Sequence, residues 1–222
     1  MRYPIVLAAI LVLGAVPAHA EITASSDNGF VTTHDVEVST DPDATFAMLR
    51  APAKWWSAEH SWTGDADNFY MDAQATGCFC ELIPASTPDG SRGSVEHMHI
   101  VYSEPGKMLR MVGALGPLQS EAVTGSLTIT LTPSDAGTKI RFEYVVGGYM
   151  RFPMETIAAA VDGVIGEQAS RLSMVLGPVV AGPDAGNGVP EDDADETADS
   201  EAVDDGVGED SDAAERPSDN AG

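Results

Sequence analysis

SLTITLTPSDAGTKIRFEYVV, residues 126–146, is the stretch from which the fold is read. Leu127, Ile129 and Leu131 alternate with Ser126, Thr128, Thr130 and Thr132. After the turn residues Pro133-Ser134-Asp135-Ala136-Gly137, the alternation resumes as Ile140, Phe142, Tyr144 and Val146 against Lys139, Arg141 and Glu143. A period of two puts each apolar set on one side of an extended chain. The stretch therefore predicts an antiparallel hairpin with one buried face. Weaker signals of the same kind fall at residues 31–38, 69–71, 79–83, 94–102 and 108–113, with Pro105-Gly106 turning between the last two.

Helices bracket this sheet. Asp41-Pro42 pairs a capping residue with a proline at the first helical position, opening a short helix through Phe46 and Leu49 that Pro52 interrupts. A second short turn carries Lys54-Trp55-Trp56. After Pro153, the residues Ile157, Val161, Val164, Ile165, Leu172 and Val175 recur at helical spacing until Gly177-Pro178 stops the pattern. The long helix is thin, with Ala158, Ala159, Ala160, Gly163 and Gly166 in its interior. Small residues there mean either close contact with the sheet or room for a ligand beneath, and Gly163 and Gly166 are ligand-site candidates on the second reading. One strand, two short helices, six strands and one long helix do not alternate as a parallel sheet requires, so the order predicts an α+β domain.

The ends differ from the middle. Arg2 precedes an apolar run from Ile5 to Val16, and Ala18-His19-Ala20 supplies the small residues a signal peptidase cuts after. The run is shorter than the roughly 20 apolar residues a membrane span needs. Residues 1–20 are expected to be a cleaved export signal, giving a periplasmic or secreted protein with no membrane span. Residues 21–29 are expected to be a flexible lead, 30–177 the folded domain and 178–222 a disordered acidic tail. Residues 183–222 hold fifteen acidic side chains and one base, Arg216, and too few large apolar groups to bury. This segment carries over half of the formal charge of −24. The remainder is also acidic, so no basic stripe exists to neutralise phosphates and no nucleic-acid partner is expected. The tail reads as a solubility segment or as an interaction arm.

Trp55-Trp56 after the first helix, Gly77-Cys78-Phe79-Cys80-Glu81, Gly93-Ser94-Val95-Glu96-His97-Met98, Pro105-Gly106-Lys107-Met108-Leu109-Arg110, the run from Gly113 to Gln119, and Val146-Gly147-Gly148-Tyr149 together resemble the START-like (SRPBCC, Bet v 1-like) superfamily over about residues 30–176. Within it the chain is most similar to bacterial Hsp90-ATPase-activator homologues and polyketide-cyclase-like proteins. The resemblance implies a helix-grip fold, in which a curved antiparallel sheet wraps a long C-terminal helix over a hollow for a small hydrophobic ligand. It does not imply one activity, because the superfamily hosts carriers, cyclases and co-chaperones. The expected function is non-catalytic binding of a small hydrophobic molecule. The alternatives are a cyclase- or dehydratase-like enzyme and an interaction module using the tail.

Cys78 and Cys80 lie two apart on a predicted strand, and His97 and His99 do the same on the next. If Ile83 faces Ser94, Cys80 stands opposite His97 and Cys78 opposite His99, and the four groups converge on a tetrahedral site for zinc, the only cofactor the sequence suggests. A Cys78–Cys80 disulfide is a second reading, since exported thiols oxidise. A third is plain packing of thiols beside hydrogen-bonded histidines. For acid–base chemistry the usable groups are His97, His99, Glu81, Glu96, Arg110 and Tyr144, with His97 or His99 as proton carrier. No nucleophile elbow or metalloprotease helix accompanies them. Trp55, Trp56, Trp62, Phe69, Phe142 and Tyr144 are candidate cavity-lining rings, which supply apolar area. The apolar run from Gly113 to Gln119 reads as a turn between strands, with a lid as the alternative.

Overall fold

The structure, a computed structural model, describes residues 21–179. The expected export signal and the acidic segment 183–222 lie outside the described residues. Eight antiparallel strands form one sheet: β1 (Glu21–Ser26), β2 (Gly29–Val38), β3 (Phe69–Met71), β4 (Cys78–Ile83), β5 (Gly93–Glu104), β6 (Met108–Gly113), β7 (Ala122–Ser134) and β8 (Gly137–Tyr149). Their spatial order is β1-β2-β8-β7-β6-β5-β4-β3. A meander thus runs from β3 to β8, and the first hairpin is added along β8. Helix α1 (Pro42–Leu49) and a run of short 3-10 turns connect β2 to β3, and helix α2 (Met154–Leu176) follows the last strand. This is the α+β helix-grip arrangement, with a large curved antiparallel sheet and a long C-terminal helix.

The hairpin of residues 126–146 forms as its alternation predicts. Leu127 pairs with Tyr144, Ile129 with Phe142 and Leu131 with Ile140. All six are buried, while their polar neighbours point to the other face. Gly125 belongs to the same inner face because the Tyr144 ring occupies the place of a side chain; a Cβ there would lie 2.3 Å from it. Bulges interrupt the β1–β2, β4–β5 and β5–β6 ladders, and each extra residue bends its strand and adds twist.

Two boundaries differ from the sequence expectation. Residues 21–26 are not a loose lead but strand β1, paired with β2 from Ser26↔Gly29 to Glu21↔Thr33. Their alternation is too weak to read, and the strand exists because the open edge of β2 offers hydrogen bonds. Pro178 and Val179, expected in the tail, are held against the sheet: Pro178 bridges Val38 and the Val179 N–H donates to the Glu37 carbonyl at 2.9 Å.

Asp41 caps α1, accepting from the Ala44 N–H at 2.9 Å, with Pro42 in the first turn. The sides of α2 do different jobs. Along one side Asp162 meets the sheet: His34 Nε2 lies 2.9 Å from its Oδ1, and the Thr32 hydroxyl donates to the same oxygen. On another, Gln168 Oε1 accepts from the Ser57 N–H at 2.8 Å, and Arg171 Nε donates to the Trp55 carbonyl at 2.9 Å. These polar pins hold the helix against β2 and the 55–60 segment.

Gly163 and Gly166 separate cleanly in this setting. A Cβ on Gly166 would come within 2.7 Å of the His34 ring, whereas one on Gly163 meets nothing within 4 Å. Gly166 is therefore a close-contact glycine and Gly163 is exposed on the helix; neither is among the residues lining the hollow between the helix and the sheet. Gly163→Ala is expected to raise stability by about 0.5–1 kcal/mol, the helix-propensity gain. Gly166→Ala is expected to lower it by about 1 kcal/mol or more, because the His34 ring is tied to Asp162 and cannot yield freely. Urea unfolding of both variants checks the opposite signs.

Candidate functional site

The site is built around one buried carboxylate. Glu81, on the inner face of β4, has no solvent exposure. Four groups converge on it. The Ser61 hydroxyl donates to Oε1 at 2.8 Å, the Thr63 N–H to Oε1 at 2.8 Å, the Trp62 N–H to Oε2 at 3.0 Å, and His97 Nε2 lies 3.0 Å from Oε2. Burial pushes the Glu81 pKa up, but the hydrogen bonds from Thr63, Ser61 and the Trp62 backbone together outweigh it and hold the carboxyl below its ordinary value of 4.5. For His97 burial is the larger influence and lowers its pKa below the ordinary 6.5, with the Glu81 hydrogen bond pulling the other way.

A carboxylate only accepts, so the His97 hydrogen must sit on Nε2. Nδ1 is left with its lone pair and has no protein partner among the described residues. The ring stacks on Phe79 at a centroid distance of 5.0 Å and tilts against Phe69 at 5.4 Å. Trp56 packs on both of these phenyl rings. His97 is thus fixed in orientation by Glu81 and in position by the aromatic cluster.

Above it lies a hollow of about 380 Å³ between the sheet and α2. Its helical wall is Ile157, Ala160, Val161, Val164 and Ile165, and its opposite wall is Trp56, Trp62 and His97. Leu115, Gly116 and Pro117 close one side, while Glu59, His60 and Ser61 form another. The wall from α2 follows directly from sequence, since positions 157, 161, 164 and 165 share one helical stripe. His60 Nε2 lies 3.0 Å from Glu167 Oε2 and joins the 3-10 turn at Ala58–His60 to α2 at the rim.

Of the sequence-predicted residues, Trp56, Trp62 and His97 reach this hollow. Trp55, Phe69, Phe142 and Tyr144 do not; they are solid core, each at most 4% exposed. Tyr144 faces inward, but its hydroxyl is taken up by the Gly113 carbonyl and the Leu115 N–H. The run from Gly113 to Gln119 turns the chain and, through its middle residues, also walls the hollow.

The four-ligand cluster does not assemble. Cys78 does stand opposite His99, but Cys80 stands opposite Glu96, because the register is Leu82↔Ser94 and a bulge intervenes. His97 is the extra residue of that bulge and turns inward with Met98, while His99 stays on the outer face, 3.5 Å from Glu96. Cys78 and Cys80 are joined to each other in a disulfide with Cα atoms 5.5 Å apart, so neither offers a thiolate. Among the described residues no group of three His, Cys, Asp or Glu side chains is placed to hold a metal. Arg110 is also excluded from the hollow, its Nε donating to Thr128 Oγ1 at 2.9 Å. The sequence reading missed the Ser61-Trp62-Thr63 donor loop; a Ser and a Thr flanking an aromatic were its only visible trace.

No protein-family model matches the chain, and no curated protein matches it. Solved structures do resemble it. A Mesorhizobium loti protein shares 18% identity over 66% of this chain and 96% of its own, with a TM-score of 0.45. A protein of unknown function from Staphylococcus aureus shares 12% identity over 67% of this chain and 93% of its own, with a TM-score of 0.48. The di-domain ARO/CYC protein StfQ of the steffimycin biosynthetic pathway shares 13% identity over 68% of this chain and 51% of its own, at a TM-score of 0.47. At such identities no substrate or partner carries over from them.

The pKa directions make stability acid-sensitive. A histidine whose folded pKa lies below its unfolded value takes up its proton more readily in the unfolded chain. Its contribution is complete above about pH 6.5 and is lost as pH falls below that value. Glu81, also depressed, adds a further loss as pH falls below its ordinary value toward its folded one. His97→Phe keeps the ring contacts and removes the first loss. The fall in urea midpoint between about pH 7.5 and about pH 5.5 is expected to be smaller in the variant than in the wild type; an equal fall would locate the titration elsewhere.

Proposed function

We propose that this protein binds one small, largely apolar molecule in the hollow between the sheet and α2, and does so as a binding domain. The observation that carries this reading is the hollow itself. It is walled by aliphatic side chains of one helical stripe and by Trp56 and Trp62. Its size falls within the roughly 300–1,000 Å³ usual for small-molecule sites. The START-like resemblance supports the same reading. An extracytoplasmic location, proposed from residues 1–20, is supported by the Cys78–Cys80 disulfide, because such bonds persist in oxidising compartments.

One observation favours a second reading, acid–base catalysis. His97 lines the hollow as an imidazole oriented by a carboxylate, with no protein partner on its other nitrogen among the described residues, which is the arrangement of a general base. On this reading Nδ1 removes a proton next to the carbonyl of an apolar ketone, and Glu81 holds the resulting imidazolium. His99, exposed on the outer face, has no part in it.

Nile red, an uncharged dye whose emission shifts to the blue in apolar surroundings, is expected to bind the wild-type protein. Val164→Trp fills the hollow with an indole and is expected to weaken that binding at least about tenfold with the fold retained by circular dichroism. Unchanged dye binding in the variant would remove the hollow as the site.

The two readings part on hydrogen exchange. Catalysis requires that the protein accelerate deuterium incorporation next to the carbonyl of indanone in heavy water, with the acceleration lost in His97→Gln. Binding without exchange is the expected result for a binding domain.

A further inference from the structure

The hollow is walled by apolar side chains except at His97, on its sheet side, and at Glu59, His60 and Ser61, at its rim. His97 keeps on Nδ1 a lone pair with no hydrogen to donate and no protein partner among the described residues, because its hydrogen is held on Nε2 by Glu81 at 3.0 Å. Every other donor around Glu81 is already spent on it: the Ser61 hydroxyl and the Trp62 and Thr63 N–H groups all point to the carboxylate. An acceptor that a ligand cuts off from water without offering a donor forfeits the hydrogen bonding that water supplied. A ligand that expels water from this wall therefore binds well only if it brings the missing donor. We infer that the molecule held here is an apolar ring system carrying a hydroxyl or another neutral hydrogen-bond donor, which it directs at His97 Nδ1.

The same surroundings disfavour an anionic ligand. Among the described residues no Arg or Lys lines the hollow. A carboxylate or phosphate head group would face a lone pair with the Glu81 charge directly behind the ring, and Glu59 at the rim adds a second negative charge. Fatty-acid and phospholipid anions are thus selected against, and neutral phenols and alcohols are selected for.

This inference rests on the hollow being a ligand site, and the test separates the two. Four probes of one shape, indane, indanol, methoxyindane and indane carboxylate, each with any substituent on the benzene ring, are titrated into the intact protein and followed by protein-detected NMR. Indanol is expected to bind about tenfold tighter than indane, the usual worth of satisfying one buried acceptor. Methoxyindane, which has the oxygen but no donor, is expected to bind like indane, and the carboxylate more weakly than either. In His97→Phe the preference for indanol over indane is expected to vanish while indane still binds. Should that variant not fold, the wild-type comparison of indanol with methoxyindane decides alone. Equal affinity for those two, or tightest binding of the carboxylate, overturns the donor rule and leaves the hollow as a binding site. Binding of none of the four overturns both.

Discussion

A carboxylate taken wholly out of water is the constraint around which this molecule is arranged. Glu81 has no exposure, and an unpaired charge so placed would cost several kcal/mol. Its stability is conditional on four donors arriving together from separate segments: Ser61, Trp62 and Thr63 from the loop after the Ala58–His60 turn, and His97 from β5. That demand docks the loop on the sheet and presents Trp62 to the hollow. It also sets the tautomer of the imidazole. The chemistry available in the hollow is therefore a consequence of how one buried charge is satisfied.

Helix α2 solves a related problem differently. Besides the apolar packing of Ala158, Ile165, Ala169, Leu172 and Leu176 in the core, polar pins tie it to the sheet and to the 55–60 segment: Asp162 to Thr32 and His34, Gln168 to Ser57, and Arg171 to the Trp55 carbonyl. Hydrogen bonds are directional, so they fix where the helix lies without requiring that all the space beneath it be filled. Close approach is permitted where Gly166 meets the His34 ring. On the stripe through Ile157, Val161 and Val164 the helix stands off from the sheet, and the interior is left open there rather than packed to the density of a core.

The bulge at His97 shows how little separates one site from another. Strands of regular pairing would have put His97 and His99 on one face, beside the cysteines. One additional residue in β5 reverses the facing of everything on one side of it, so His97 joins Phe79 and Glu81 inside while His99 keeps company with Glu96 outside. The disulfide between Cys78 and Cys80 spans Phe79, the ring on which His97 stacks.

The sequence by itself determined the α+β class, the 126–146 hairpin, the cap and first turn of α1 and the apolar stripe of α2. These depend on neighbours a few residues apart, whose spacing is visible in the chain as a period of two or of 3.6. It also marked Trp56, Trp62 and His97 as candidates for the hollow, while placing four core residues, Trp55, Phe69, Phe142 and Tyr144, in the same class, because periodicity names a buried side without saying whether that side is filled. Only the tertiary structure decided that Glu81 and His97 form a pair, that β1 exists and that the Cys–His cluster falls apart. Each of these turns on register, on a bulge or on an edge waiting for a partner. Such features arise between segments distant in the chain, where a shift of one residue exchanges inside for outside and leaves no mark on local composition.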